Sequence, residues 1–134
     1  MEYQQAWDYQ EQLLNRNVQI KSSVRNLELA EHNVNNLSGA ASELQTENYL
    51  LICEHPPVYT LGKSGHIENL LIDDQERLAK GIQLFKINRG GDITFHGPGQ
   101  VVGYPILDLE KFYTDIGKYL RNIEEVIILT LAEY

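Results

Sequence analysis

Tyr49-Leu50-Leu51-Ile52-Cys53-Glu54-His55-Pro56-Pro57-Val58-Tyr59-Thr60-Leu61-Gly62 is the stretch on which the fold turns. Its first five residues form a short continuous apolar run, the pattern of a strand covered on both faces. Pro56 and Pro57 stop that run, because proline has no amide hydrogen to give to a ladder. Val58 to Leu61 then resumes as a second extended segment.

Downstream, Asp73 is placed to cap a short helix through Lys80, and Gly81 to end it in the left-handed region. Ile82 to Ile87 reads as the next strand. Arg89 to Gly103 holds five of the ten glycines, a density that marks backbone lying close to something else. Val101 to Leu107 follows as a strand whose Pro105 places it at an edge or bulge. Thr114 or Asp115 can cap a last helix, with Ile116, Leu120, Ile123, Ile127, Leu131 and Tyr134 along one face. That helix has no Gly, Pro or polar stop after it, which predicts a domain continuing beyond Tyr134.

Upstream, Tyr3, Trp7, Leu14 and Val18 recur at near-helical spacing, so the first twenty-odd residues read as an amphipathic helix covering a core. Residues 26–48 are rich in Asn, Ser, Glu and Ala. With the loop signals of residues 33–42 inside it, the whole of 26–48 is expected to be a mobile, solvent-facing loop region. The elements amount to three helices and about five strands. They predict an α+β class, a mixed sheet flanked by helices, over a single incomplete domain of residues 1–134.

Composition narrows the function. The 134 residues are 43% hydrophobic and 22% charged, which fits one globular domain. Eleven basic against nineteen acidic side chains leave a net charge of -8, the wrong sign for a surface that holds phosphate backbones. Nucleic acid is therefore not an expected partner. Nor is a membrane, since the longest wholly apolar stretches run only a few residues. The acidic start lacks the basic and apolar regions of a signal peptide, and Cys53, the one cysteine, cannot make an internal disulfide. The expected compartment is the cytoplasm.

Several motifs fail on spacing. Gly62-Lys63-Ser64 copies the end of a P-loop, but Pro57 stands where its first glycine should be, so a polar turn is expected. The same residues miss the Gly-x-Ser-x-Gly elbow of serine hydrolases. Gly97 to Gly103 has its third glycine one residue late for a dinucleotide fingerprint, and a strand follows where a helix should start. Cys53, His55 and His66 lack a fourth ligand for zinc. Cys53 sits in an apolar run, where burial raises a thiol's pKa, and reads as structural. As the sole thiol it would nonetheless have to serve any thioester chemistry done by these residues alone.

What survives is Arg89-Gly90-Gly91-Asp92-Ile93-Thr94-Phe95-His96-Gly97-Pro98-Gly99-Gln100. Positions without side chains let an extended ligand lie against main-chain donors, while Arg89 and His96 offer directed polar contacts. A structural turn fits the same residues nearly as well.

This string resembles the Arg-Gly-Gly-x-x-Thr-x-His-Gly-Pro-Gly-Gln signature of the lipoate biosynthesis octanoyltransferases, the lipoate-protein ligase B family. Glu54-His55-Pro56-Pro57-Val58-Tyr59-Thr60-Leu61-Gly62 is similar to that family's upstream segment, and Gly103-Tyr104-Pro105-Ile106 continues the likeness. Lipoate ligases carry a different loop, with three consecutive glycines and an Asp-x-Gly-Asn ending. The resemblance implies the mixed α+β fold of the biotin and lipoate protein ligases. It also implies a two-step acyl transfer without ATP or another cofactor. Octanoyl would pass from acyl carrier protein to an enzyme cysteine, then to a lysine of a lipoyl domain. The implied acceptors are the lipoyl domains of 2-oxoacid dehydrogenases and the glycine cleavage H protein.

By motif match, the family's substrate-binding stretch falls on Arg89, Gly90, Gly91, Asp92, Ile93, Thr94, Phe95 and His96. Phe95 stands where tyrosine is commoner, keeping an aromatic wall without the hydroxyl. Arg89 and His96 are expected to be ligand contacts or loop braces. His55 is expected to fix a turn beside the pocket and Tyr59 to pack against it. Lys63 and Arg89 are the basic groups best placed for an acidic carrier. The family's nucleophilic cysteine and its lysine partner lie beyond the segment matching Thr130 to Tyr134, so no catalytic residue is expected here. Two other readings stand beside this one: a non-enzymatic acyl-binding or interaction module, and an acyltransferase using Cys53.

Overall fold

A computed structural model describes residues 1–31 and 44–134 of the chain. It is of the α+β class, with helices and two small sheets in the order α1 (Tyr3–Glu31), β1 (Tyr49–Cys53), β2 (Val58–Leu61), α2 (Asp74–Ala79), β3 (Gln83–Lys86), β4 (Ile93–His96), β5 (Val102–Ile106) and α3 (Ile116–Leu131). The described residues fall into two compact units, one built from residues 1–19 and 49–106, the other from residues 20–48 and 107–134.

In the first unit β2 is the central strand of three, parallel to β3 and antiparallel to β4. The parallel pairing needs a crossover, and α2 lies within it. Asp73 caps α2 by accepting from the Glu76 amide at 2.7 Å, and Gly81 takes a φ of 65 after it. Both features follow the sequence reading. β1 pairs antiparallel with β5, setting Leu50 against Pro105. Among the described residues this ladder has two strands only, so Pro105 sits at an edge as expected.

Three expectations need correction. β1 is not covered on both faces: Leu50 and Ile52 are 64% and 61% exposed, because in a two-stranded ladder alternate side chains face away from the partner elements. α1 is longer than expected, so residues 26–31, read as loop, are helical. Residues 32–43, which hold the loop signals, lie outside the described residues. The stripe that α1 buries is Tyr3, Ala6, Leu13 and Asn17, while Leu14 and Val18 are exposed. The true spacing runs i, i+3, i+10, i+14, and the polar Asn17 within it disguised the face.

In the second unit Asp115 caps α3 through the Lys118 amide at 2.9 Å. The helix stops at Leu131, so Tyr134 is not part of it, and Ile116, Leu120, Ile127 and Leu131 are exposed on it. Residues 44–48 are tied to the start of this region by Asp108. Its carboxylate accepts from the Thr46 hydroxyl and from Lys21 Nζ, each at 2.6 Å, and its amide donates to Asn48 Oδ1 at 2.8 Å. These bonds, Lys21 first and Thr46 next, hold the Asp108 carboxyl below its ordinary value.

A group of that kind adds stability above its unfolded pKa, about 4, and loses it as pH falls through the lower folded value. Asp108→Asn should therefore cost roughly 1–2 kcal/mol at neutral pH and leave stability flatter below about pH 4. Urea unfolding of both proteins across the acid range checks it; parallel acid limbs would refute the linkage. Among the described residues no helix is long and apolar enough to cross a membrane.

Candidate functional site

The two glycine- and proline-rich segments are brought together by a strand pair. β2 lies beside β4 with Val58 opposite His96, Tyr59 opposite Phe95 and Thr60 opposite Thr94. The structural turn that fits residues 89–100 by composition does not extend through them: Ile93–His96 is strand, since Ile, Thr and Phe suit a half-covered pleat. Only residues 89–92 and 97–100 turn. On one face of the pair the Tyr59 and Phe95 rings meet at 5.0 Å, so Tyr59 packs on Phe95 and not beside His55, the face carrying His96 being the other one.

Residues 89–92 press on Gly62. The Gly62 amide donates to Asp92 O at 3.0 Å and the Lys63 amide to Arg89 O at 2.9 Å. A side chain at position 62 would stand 2.3 Å from Gly91 O, so glycine is required there by close approach. Gly91 and Gly99 both have a φ of 83 and set the two turns. Gly62-Lys63-Ser64 is the turn that spacing predicted, now with a structural duty.

Arg89 is a brace of its own loop. Its guanidinium donates to Gly90 O at 2.7 Å, to Thr94 Oγ1 at 2.8 Å and to Asp92 O at 3.3 Å. His96 Nδ1 lies 2.7 Å from Gln100 Oε1, an acceptor, so Nδ1 carries the hydrogen and Nε2 keeps the lone pair in the neutral ring. Asp92 is exposed, and its carboxylate accepts from the His66 amide at 3.1 Å and from Asn69 Nδ2. Glu54 Oε2 accepts from the Gly99 amide at 3.4 Å, joining the first segment to the second turn.

A group of rings the sequence reading did not assemble covers the inner end of this pair. Tyr3 lies 5.2 Å from the His55 ring, 5.1 Å from Phe85 and 6.3 Å from His96, stacked on the last. His55 is 2% exposed and more than a turn residue. Its Nδ1 donates to Met1 O at 2.9 Å, which leaves Nε2 to accept from the Tyr104 hydroxyl at 2.7 Å. Cys53 Sγ stands 3.6 Å from the same Nε2. Burial pushes the Tyr104 phenol far up, and the Tyr3 phenol up as well, the latter opposed by the charge on Arg89. Both hydroxyls are therefore neutral hydrogen-bonding groups at physiological pH. Beside them a cleft of about 300 Å3 is lined by Tyr3, Trp7, Ile87, Asn88, Arg89 and Tyr104 among others. No spacing rule could have flagged Tyr3 and Tyr104 together, because they meet only through tertiary structure.

Lys63 and Arg89 meet through main chain only, the Lys63 amide donating to Arg89 O, while the Arg89 guanidinium is committed to its own loop. His66 belongs to the Asp92 turn and not to the ring cluster. Among the described residues no group of three or more His, Cys, Asp or Glu could hold a metal ion.

These residues give an α+β frame in which braced glycine turns flank a short strand beside an aromatic cleft. Residues 2–134 match the family described as the lipoyl protein ligase A/B catalytic domain, and the chain belongs to that family. Its relatives include an octanoyltransferase of Flavobacterium johnsoniae, 56% identical over 133 residues, which cover 99% of this chain and 52% of that protein. One from Cytophaga hutchinsonii is 52% identical over 134 residues, or 100% of this chain and 50% of the relative. The chain spans about half the length of these curated relatives.

Proposed function

We propose that the chain carries the substrate-loop part of an octanoyltransferase of lipoate biosynthesis. Octanoyl passes from acyl carrier protein to an enzyme cysteine and then to a lysine of a lipoyl domain, in the cytoplasm. The acceptors are the lipoyl domains of 2-oxoacid dehydrogenases and the glycine cleavage H protein. The observation that carries this reading is the seating of residues 89–96 against Gly62 and β2, beside an aromatic cleft, in a chain of this family.

Thioester exchange is nearly balanced, so the protein's work is to position the acyl chain and keep water from the intermediate. Gly90 and Gly91 leave main chain accessible to the substrate, Arg89 and Thr94 hold that main chain in place, and the rings of Tyr3, His55 and His96 wall the inner end. Ile93 and Phe95 complete the stretch on β4. The nucleophile and its lysine are assigned to the part of the family that follows the segment ending at Tyr134.

One observation favours a second reading, the 3.6 Å approach of Cys53 Sγ to His55 Nε2, a thiol beside an imidazole. The Tyr104 hydroxyl occupies that nitrogen at a shorter distance, which argues for a structural thiol. Cys53→Ser in the protein from the complete reading frame should keep transfer to within about twofold. Loss of all transfer would make Cys53 the nucleophile.

The reading as a whole is tested by incubating that protein with octanoyl-acyl carrier protein and a lipoyl domain, then mapping acyl groups by mass spectrometry. Octanoyl on the acceptor lysine is expected. Acyl binding without transfer would leave a non-enzymatic binding module instead.

A further inference from the structure

Within the stretch 89–96, Asp92 differs from its neighbours. Both oxygens of its carboxylate are committed inside the chain, one to the His66 amide at 3.1 Å and the other to Asn69 Nδ2. Its carbonyl is committed as well, accepting from the Gly62 amide at 3.0 Å and from Arg89. Around it runs a turn that closes on itself, with the Gly65 amide on Gly62 O and the Asn69 amide on His66 O, each at 3.0 Å. A Cβ at Gly65 would meet Leu61 Cδ1 at 2.3 Å and Asp92 Oδ1 at 3.1 Å, so a side chain there would have to displace both.

We propose that Asp92 is a positioning residue rather than a substrate contact, and that Asn69, outside both signatures, is its partner. Together they set the position of the glycine backbone that receives the acyl group. The inference rests on the octanoyl-transfer reading above. Asp92 and Asn69 are both exposed, so their bond adds little to global stability, and its effect falls on local geometry. That geometry is transmitted directly: Asp92 follows Gly91, whose φ of 83 defines the turn, and its carbonyl meets the buried Gly62.

The pair can be reversed without changing its shape. In Asp92→Asn combined with Asn69→Asp, the amide at 92 still accepts from the His66 amide and now donates to the carboxylate at 69. The test measures octanoyl transfer by Asn69→Ala, Asp92→Ala and the exchanged double variant in the protein from the complete reading frame. Each alanine variant should raise KM for the octanoyl donor about tenfold with kcat within about twofold, and the exchange should restore KM to within about threefold. Unchanged KM in both alanine variants, or an exchange no better than Asn69→Ala, overturns the proposal. A purely structural role would lower melting temperature instead and leave the KM-to-kcat split unmoved.

Should the unaltered protein transfer nothing, the octanoyltransferase reading fails, and hydrogen exchange at the Gly62 and His66 amides then decides for the pair. Protection lost in Asp92→Ala and regained in the exchanged variant sustains the positioning role. Protection unaffected by either change refutes it.

Discussion

Gly62→Ala is expected to destabilise the protein by roughly 3 kcal/mol or more, a large effect for one methyl group. The added Cβ would meet three main-chain oxygens, those of Gly91 at 2.3 Å, Arg89 at 2.9 Å and Gly90 at 3.0 Å. A side chain could rotate away, but these are backbone atoms. Relief requires residues 89–92 to move off β2. That movement breaks the Gly62 amide bond to Asp92 and the Lys63 amide bond to Arg89, each worth about 1 kcal/mol, on top of the strain. Gly90→Ala is the control, since nothing lies within 4 Å of a Cβ there and its φ is not positive. It should change stability by no more than about 0.5 kcal/mol. Urea unfolding midpoints for the two variants give the answer, and equal midpoints would show that the loop yields without resistance.

His55→Ala is expected to cost about 3–5 kcal/mol, the range for emptying a buried ring site. Its imidazole is 2% exposed and ties the residue run before α1 to β5 by directed bonds, to Met1 O at 2.9 Å and from the Tyr104 hydroxyl at 2.7 Å. Removing it leaves a phenol in the interior without its acceptor and takes a wall from the Tyr3 and His96 rings. Tyr104→Phe separates the terms, because it keeps the ring and deletes only the hydroxyl, at about 1–2 kcal/mol. A double-mutant cycle should then give a coupling of about 1 kcal/mol between the positions. Independent, additive losses would mean that the bond contributes nothing and that the site is held by shape alone.

Local chemistry was legible in the sequence wherever a single residue dictates it. Asp73 and Asp115 cap the helices they were expected to cap, Gly81 ends α2 with positive φ, and Pro105 sits at an edge. The face of α1 was misread because a buried position is occupied by polar Asn17 while Leu14 and Val18 are exposed, so apolar spacing alone pointed the wrong way. β4 was hidden by its flanks: glycines on both sides of Ile93–His96 made four strand-forming residues look like part of a loop.

The candidate site shows the same division. Residues 89–96 could be nominated from their own composition, but the roles of Arg89 and Asp92 could not, because their partners are set by the fold. Asn69 lies outside both signatures, and only the contact between its amide and Asp92 reveals it. Tyr3, His55, His96 and Tyr104 are scattered from one end of the first unit's sequence to the other, and only tertiary structure places them in one group.

The register of β1 on β5, from Tyr49 opposite Ile106 to Cys53 opposite Val102, has a kinetic consequence. The ladder encloses the whole β2–β3–β4 sheet and the glycine turns within one long excursion of chain. Closing a long excursion costs entropy before any pairing repays it, so topologies of this kind fold on slower timescales than helical bundles. The inner sheet, built from shorter separations, is the part that forms with the smaller entropic barrier. The bond between His55 and Tyr104 spans the two ends of that excursion, so formation of the ring cluster reports the moment the outer ladder closes.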